Sequence, residues 1–120
     1  MKLFANLAVA FVALSHIGFL VLEMFLWNTP TGQEIFGMTP EVSESSAVLA
    51  ANQGLYNGFL AAGLFWGLVS KRTDIKTFFL GCVLVAGLFG GATASTTIFY
   101  TQAAPAFIAM ILVGLTHKKT

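Results

Sequence analysis

Asn52-Gln53-Gly54-Leu55-Tyr56-Asn57-Gly58 sets four hydrogen-bonding side chains inside residues 47–70, a run that carries no charge and is otherwise apolar enough for a lipid bilayer. A carboxamide or phenol held in hydrocarbon without a partner costs several kcal/mol. The stretch must therefore face protein, water or a ligand. The rest of the sequence decides between a membrane and a water-soluble core, and then what could answer these groups.

The chain has 120 residues, 57% of them hydrophobic and only 9% charged, and its mean hydropathy is +0.83. A soluble globule carries about 25% charged residues. This chain has too few to cover a water-facing surface, so lipid is the solvent for most of it and the bilayer is its first partner. The net charge of +1 is uninformative about nucleic acid, but no basic tract and no aromatic-basic interleaving point to one, and that class is set aside. Cys82, the single cysteine, permits no intrachain disulfide and reads as a small packing residue. The apolar run that follows Met1-Lys2 extends to Trp27, longer than the ~7–15 residues of a signal-peptide core, so it reads as a retained span.

Four spans are expected, over about residues 3–27, 47–70, 77–95 and 98–116, with residues 28–46 as the long outer loop. On the first, Ala5, Val9, Ala13, His16, Leu20, Glu23 and Trp27 fall along one helical stripe. In the loop, Thr39-Pro40-Glu41 reads as a helix start, with Thr39 as cap and Pro40 at the first helical position. Ile35, Phe36 and Met38 make the loop amphipathic, fit either to cover the helices as a lid or to rest at the interface. Lys71 to Lys76 forms a short charged turn that makes the second and third spans antiparallel neighbours. Gly87, Gly90 and Gly91 leave the end of the third span open to tight packing or to a cavity, and Pro105 reads as the opening of the fourth helix.

All six Lys and Arg residues (Lys2, Lys71, Arg72, Lys76, Lys118, Lys119) fall at the start, in the middle turn or at the end. With four spans, every one lies on a single side, which the positive-inside rule makes cytoplasmic. The expectation is an all-α, four-transmembrane-helix up-down bundle, multi-pass in the cytoplasmic membrane, with both termini cytoplasmic.

Counting ~1.5 Å per residue from the outer ends sorts the polar groups into two layers. Glu23 matches Asn52 and Gln53, roughly 6–9 Å in; His16 matches Tyr56 and Asn57, roughly 15 Å in. His16 and Glu23 are the candidate proton-exchanging groups, because in a dry setting both a carboxyl and an imidazole favour their neutral forms. Asn52, Gln53, Tyr56 and Asn57 are the candidate ligand-orienting groups, with Trp27 and Gln102 near the outer opening. The competing reading is that these groups only knit helices together, and that Trp27 belongs to the interfacial belt. One His, one Glu and neutral amides fall short of a metal set, and nothing implies a cofactor.

His16, Glu23-Met24 and Trp27, then Asn52 to Gly58 leading into Leu60-Ala61-Ala62-Gly63, and Gln102 with Pro105-Ala106, resemble the small bacterial membrane proteins of domain of unknown function 1304. The resemblance spans nearly the whole chain and implies a four-helix integral membrane protein, with no activity to carry over. Two function classes follow from the residues. One is binding or processing of a small lipophilic or amphipathic molecule in a polar pocket facing the outer leaflet, with catalysis left open. The other is a non-catalytic accessory or assembly subunit whose polar face pairs with partner helices, a second copy through the Gly-rich faces among them.

Overall fold

The computed structural model describes residues 1–117, and every regular element among them is helical. Helix α1 covers Lys2–Met24, α2 Pro30–Phe36, α3 Pro40–Ser45, α4 Ala47–Ser70 and α5 Thr73–Thr93. A π-helical turn, Phe99–Ala103, leads directly into α6, Ala104–His117. Lys118 and Lys119, which enter the charge argument above, lie outside the described residues. Three stretches are long and apolar enough to cross a membrane: Lys2–Met24, Thr73–Thr93 and Phe99–His117. Helix α4 has the length, but Asn52, Gln53 and Asn57 keep it out of that set. Residues divide into two compact units, 1–14 with 60–120, and 15–59.

In the first unit the core is made of small side chains. Ala5, Val9, Val12 and Ala13 of α1 join Leu64 of α4, Leu80 and Val83 of α5, and Ala106, Ala109 and Val113 of α6. Leu64 and Leu80 apart, many of the large residues lie outside: Leu3, Phe4, Leu7, Phe11, Phe78, Val85, Phe89, Phe107 and Ile108 are all exposed. A water-soluble fold buries its largest apolar groups. Small residues within and large ones without is the arrangement that lipid permits, because lipid tails are as apolar as Leu and helices gain by close van der Waals contact.

Glycine sets those contacts. A Cβ on Gly87 would stand 2.6 Å from the Ala103 nitrogen, one on Gly91 would collide with the Phe99 ring, and one on Gly63 would stand 2.5 Å from the ring of Phe79. The glycine-rich end of α5 is thus packed against the π turn. Pro105 is the second residue of α6, as its sequence suggests, and the π turn before it lets the helical path continue from Phe99 through the proline. In a regular α-helix its ring would strike the carbonyl of Thr101; the wider π turn ends at Ala103, and the N–H of Ala104 reaches back to the Phe99 carbonyl.

The connection between α4 and α5 is a tight reversal. The N–H of Arg72 donates to the Gly67 carbonyl (3.0 Å) and that of Lys71 to Leu68 (3.3 Å). Lys71 takes φ 58°, the left-handed conformation usual for glycine at this helix-ending position. On the α5 side Lys76 Nζ donates to Asn6 Oδ1 (3.0 Å), its stem passing where a Gly67 side chain would be.

In the second unit, the connection expected as a loop over residues 28–46 is mostly helical. Thr39 caps α3 as its sequence suggests, its side chain accepting from the Val42 N–H, but the helix stops at Ser45 and α4 starts anew at Ala47. Thr29-Pro30 repeats the device for α2, accepting from the Gly32 N–H. Gly32 is buried against the end of α1: a Cβ there would stand 2.6 Å from the Trp27 carbonyl oxygen and closer still to that of Leu26. Gly37, at φ 63°, ends α2.

Replacing Gly87 by Val is expected to lower stability by about 1–3 kcal/mol through backbone displacement at the π turn. Gly114→Ala, where a Cβ meets nothing within 4 Å, is expected to gain up to ~1 kcal/mol from helix propensity. Thermal unfolding of both variants in one detergent, read beside the unchanged protein, measures the contrast.

Candidate functional site

The polar groups singled out in the sequence, Gln102 apart, fall in the unit of residues 15–59. Within it the last turns of α1 run antiparallel to the first half of α4. Gly54 lies against α1's final turn, with Met24 Cγ 2.6 Å, Glu23 Cβ 3.2 Å and the Leu20 carbonyl 3.2 Å from where its Cβ would be. Gly58 meets Leu20 one turn along (2.8 Å). These two glycines bring the helix axes close enough for short side chains to meet across them. Asn57 Nδ2 then donates to Glu23 Oε1, a charge-capable carboxyl held by a carboxamide on the neighbouring helix.

That pairing differs from the layers expected from depth counting, which matched Glu23 to Asn52 and Gln53. The count took Trp27 as the end of the first helix, whereas α1 ends at Met24, where the Leu26 N–H turns back to the Val21 carbonyl (3.2 Å). With Gly54 level with that last turn, residues 47–53 of α4 extend past the end of α1 by about 10 Å. Asn52 and Gln53 are exposed there, and Asn52 Nδ2 donates to the Val48 carbonyl of its own helix (3.2 Å). Tyr56 is 55% exposed, its ring 6.1 Å from that of Phe59. The covered edge of α4 is instead Ala50, Gly54, Asn57 and Gly58.

His16 is fully buried, with the Phe19 ring edge-on at 5.0 Å. The stripe read on the first span holds along its length: Ala5, Val9, Ala13 and His16 are buried and Leu20, Glu23 and Trp27 half-buried. Trp27 lies beyond the helix, its Nε1 donating to Ser46 Oγ (2.9 Å) and its ring tilted against Phe36 at 4.7 Å. Gln102 belongs to the π turn in the other unit and is half-buried.

The sequence reading missed Ser43. It is completely buried, donates to Asn28 Oδ1 (2.7 Å) and accepts from Gln33 Nε2 (3.0 Å), with the Pro40 carbonyl 3.0 Å away. Ser43 thus joins the start of the connection, α2 and α3 through one hydroxyl. The signal available was the shared spacing: Gln33 and Ser43 each stand four residues after a Thr-Pro cap, so both occupy the same position of two like helices. Among the described residues, no group of three or more His, Cys, Asp or Glu side chains is placed to hold a metal ion.

Residues 10–114 match the family described as "Protein of unknown function (DUF1304)". The chain belongs to the DUF1304 family. One relative is an "Uncharacterized protein YpaA" from Lactococcus lactis subsp. lactis (strain IL1403), 33% identical over an alignment of 104 residues that covers 83% of this chain and 87% of the relative. No solved structure matches.

Truncating either side of the Glu23–Asn57 pair is expected to cost little, because interhelical hydrogen bonds in membranes average about 0.6 kcal/mol and reach about 1.7. A double-mutant cycle with Glu23→Ala and Asn57→Ala is expected to return a coupling in that range. Ser43→Ala, which strands Asn28 and Gln33, is expected to cost more, about 1–3 kcal/mol, with faster amide hydrogen exchange confined to residues 28–46.

Proposed function

We propose that this DUF1304 chain is a four-span protein of the bacterial cytoplasmic membrane with both ends in the cytoplasm, and that Glu23, Asn57 and His16 form a site for a small lipophilic or amphipathic molecule. The observation that carries the site is the Asn57–Glu23 hydrogen bond seated on Gly54 and Gly58. Apolar packing would hold two helices at least as well as a carboxyl and an amide do. An ionisable group at membrane depth is by default a working one.

In this reading α4 is also a span, the second in chain order, with its first two turns rising above the end of α1 into the headgroup region. The orientation follows from the six cationic side chains, all at the sequence positions that a four-span chain puts on one side. Asn57 holds one carboxyl oxygen of Glu23, and the other is directed to a hydroxyl, amine or carbonyl of the ligand. Proton exchange with the ligand falls to Glu23 and His16. Asn52, Gln53, Tyr56 and Trp27 stand nearer the outer surface and meet the ligand's polar end.

A second reading is favoured by the exposure of Asn52, Gln53 and Tyr56 on α4. Three polar side chains uncovered on one helix suit an accessory subunit that pairs this face with the helices of a partner protein.

Native mass spectrometry of the protein in mild detergent, with Glu23→Gln beside it, separates the two. The ligand reading expects a co-purifying small molecule on the unchanged protein and its loss from the variant, with stoichiometry unaltered. A bare protein in both samples, with a partner subunit that dissociates on mutation, would replace it by the accessory reading.

A further inference from the structure

The first unit carries a surface feature that the Glu23 site does not use. An open groove at the charged end of α5 is lined by Lys71, Thr73, Asp74, Thr77, Phe78 and His117. A second, almost wholly apolar groove shares Thr77 and Phe78 and continues along α5 past Gly81 and Val85 to Phe89. The two make one strip, polar and cationic at one end and greasy over the rest.

Charge at the polar end is positive. Asp74, the only carboxylate among its described lining residues, is paired with Arg72 (2.6 Å), so it does not offset Lys71. The apolar end is a shallow, open face: a Cβ on Gly81 would meet nothing within 4 Å, while Phe78, Val85 and Phe89 stand 66%, 67% and 70% exposed on the same helix. From Thr77 to Phe89 the helix rises about 18 Å, against about 15 Å for one leaflet of the hydrocarbon core.

We propose that this strip binds one anionic phospholipid, its phosphate held by Lys71 and the hydroxyls of Thr73 and Thr77, and one acyl chain lying over Gly81 between Phe78, Val85 and Phe89. Charge complementarity selects this occupant over a second copy of the chain. Two copies in one membrane related by a two-fold axis along its normal bring like residues together, so Lys71 would meet Lys71. A basic group at the membrane surface attracts an anionic headgroup by about fivefold in affinity. The inference rests on the membrane-spanning length of α5 and stands apart from the Glu23 site.

The test uses the full chain in detergent, supplied with phosphatidylglycerol and phosphatidylcholine in equal amounts and read by native mass spectrometry. Two variants suit it. Lys71→Gly removes the charge at a backbone position with φ 58°, where glycine is at ease. Gly81→Leu crowds the apolar face from a position with room for a side chain. The unchanged protein is expected to keep phosphatidylglycerol in preference; Lys71→Gly is expected to lower that affinity about fivefold without changing phosphatidylcholine; and Gly81→Leu is expected to weaken both. Equal retention of the two lipids by the unchanged protein, or no effect of Lys71→Gly, would overturn the proposal. So would inorganic phosphate binding alone with the same dependence on Lys71, which would make this a site for the free anion. A lipid-free dimer abolished by Gly81→Leu would give the apolar face to a second copy instead.

Discussion

Several close helix approaches in this protein are made where a Cβ is missing, and the pairing of Glu23 with Asn57 sits at one of them. Gly54 and Gly58 let α1's last turns close on α4, and only at that separation do the short arms of Glu23 and Asn57 meet. Gly87 and Gly91 do the same for α5 and the π turn. Without a hydrophobic force between helices in lipid, close contact and interhelical hydrogen bonds are what hold such segments together. The glycines supply the first and permit the second. Of the glycines within helices, Gly18, Gly81 and Gly114 are the ones where a Cβ would meet nothing within 4 Å.

The same contacts keep the polar chemistry in two places. Near the junction of α1 and α4 there is a carboxyl, an amide and a buried imidazole; in the connection after α1 there is a hydroxyl hub at Ser43. The first uses ionisable groups and the second none. A neutral hub satisfies its partners at every pH and so suits a structural joint, whereas a carboxyl beside an amide changes its hydrogen bonding with each proton gained or lost. This division is why Glu23 and not Ser43 is the centre of the proposed site.

Much of the helical plan was legible because it is local. The stripe from Ala5 to Glu23 is a matter of 3.6-residue spacing, and the Thr39-Pro40 start is written in adjacent residues. The run of residues 47–70 coincides with α4. The misreadings share one cause, that they turn on contacts between distant residues. The depth count missed the pairing of Glu23 with Asn57 because α1 stops three residues short of Trp27, and the fit of Gly32 against the Leu26 and Trp27 carbonyls shows only once the chain is folded. The π turn answers both the proline behind it and the glycines opposite. Ser43 is polar in a polar segment and gains its importance only once α2 and α3 fold together. Thr29-Pro30 is the exception: its signal matched that of Thr39-Pro40 and was simply passed over.

Those two Thr-Pro starts give the segment between α1 and α4 an unusual independence. Helices of six and seven residues are too short to persist by propensity, since the first turn must be fixed before any hydrogen bond rewards it. Proline at the first helical position removes part of that cost beforehand, by narrowing what the unfolded chain can do, and the threonine caps and the Ser43 hub close the rest. The long apolar helices owe their order to packing on one another. The short pair of helices owes its order to its own prolines, threonine caps and Ser43 hub, contacts that lie wholly within residues 28–46.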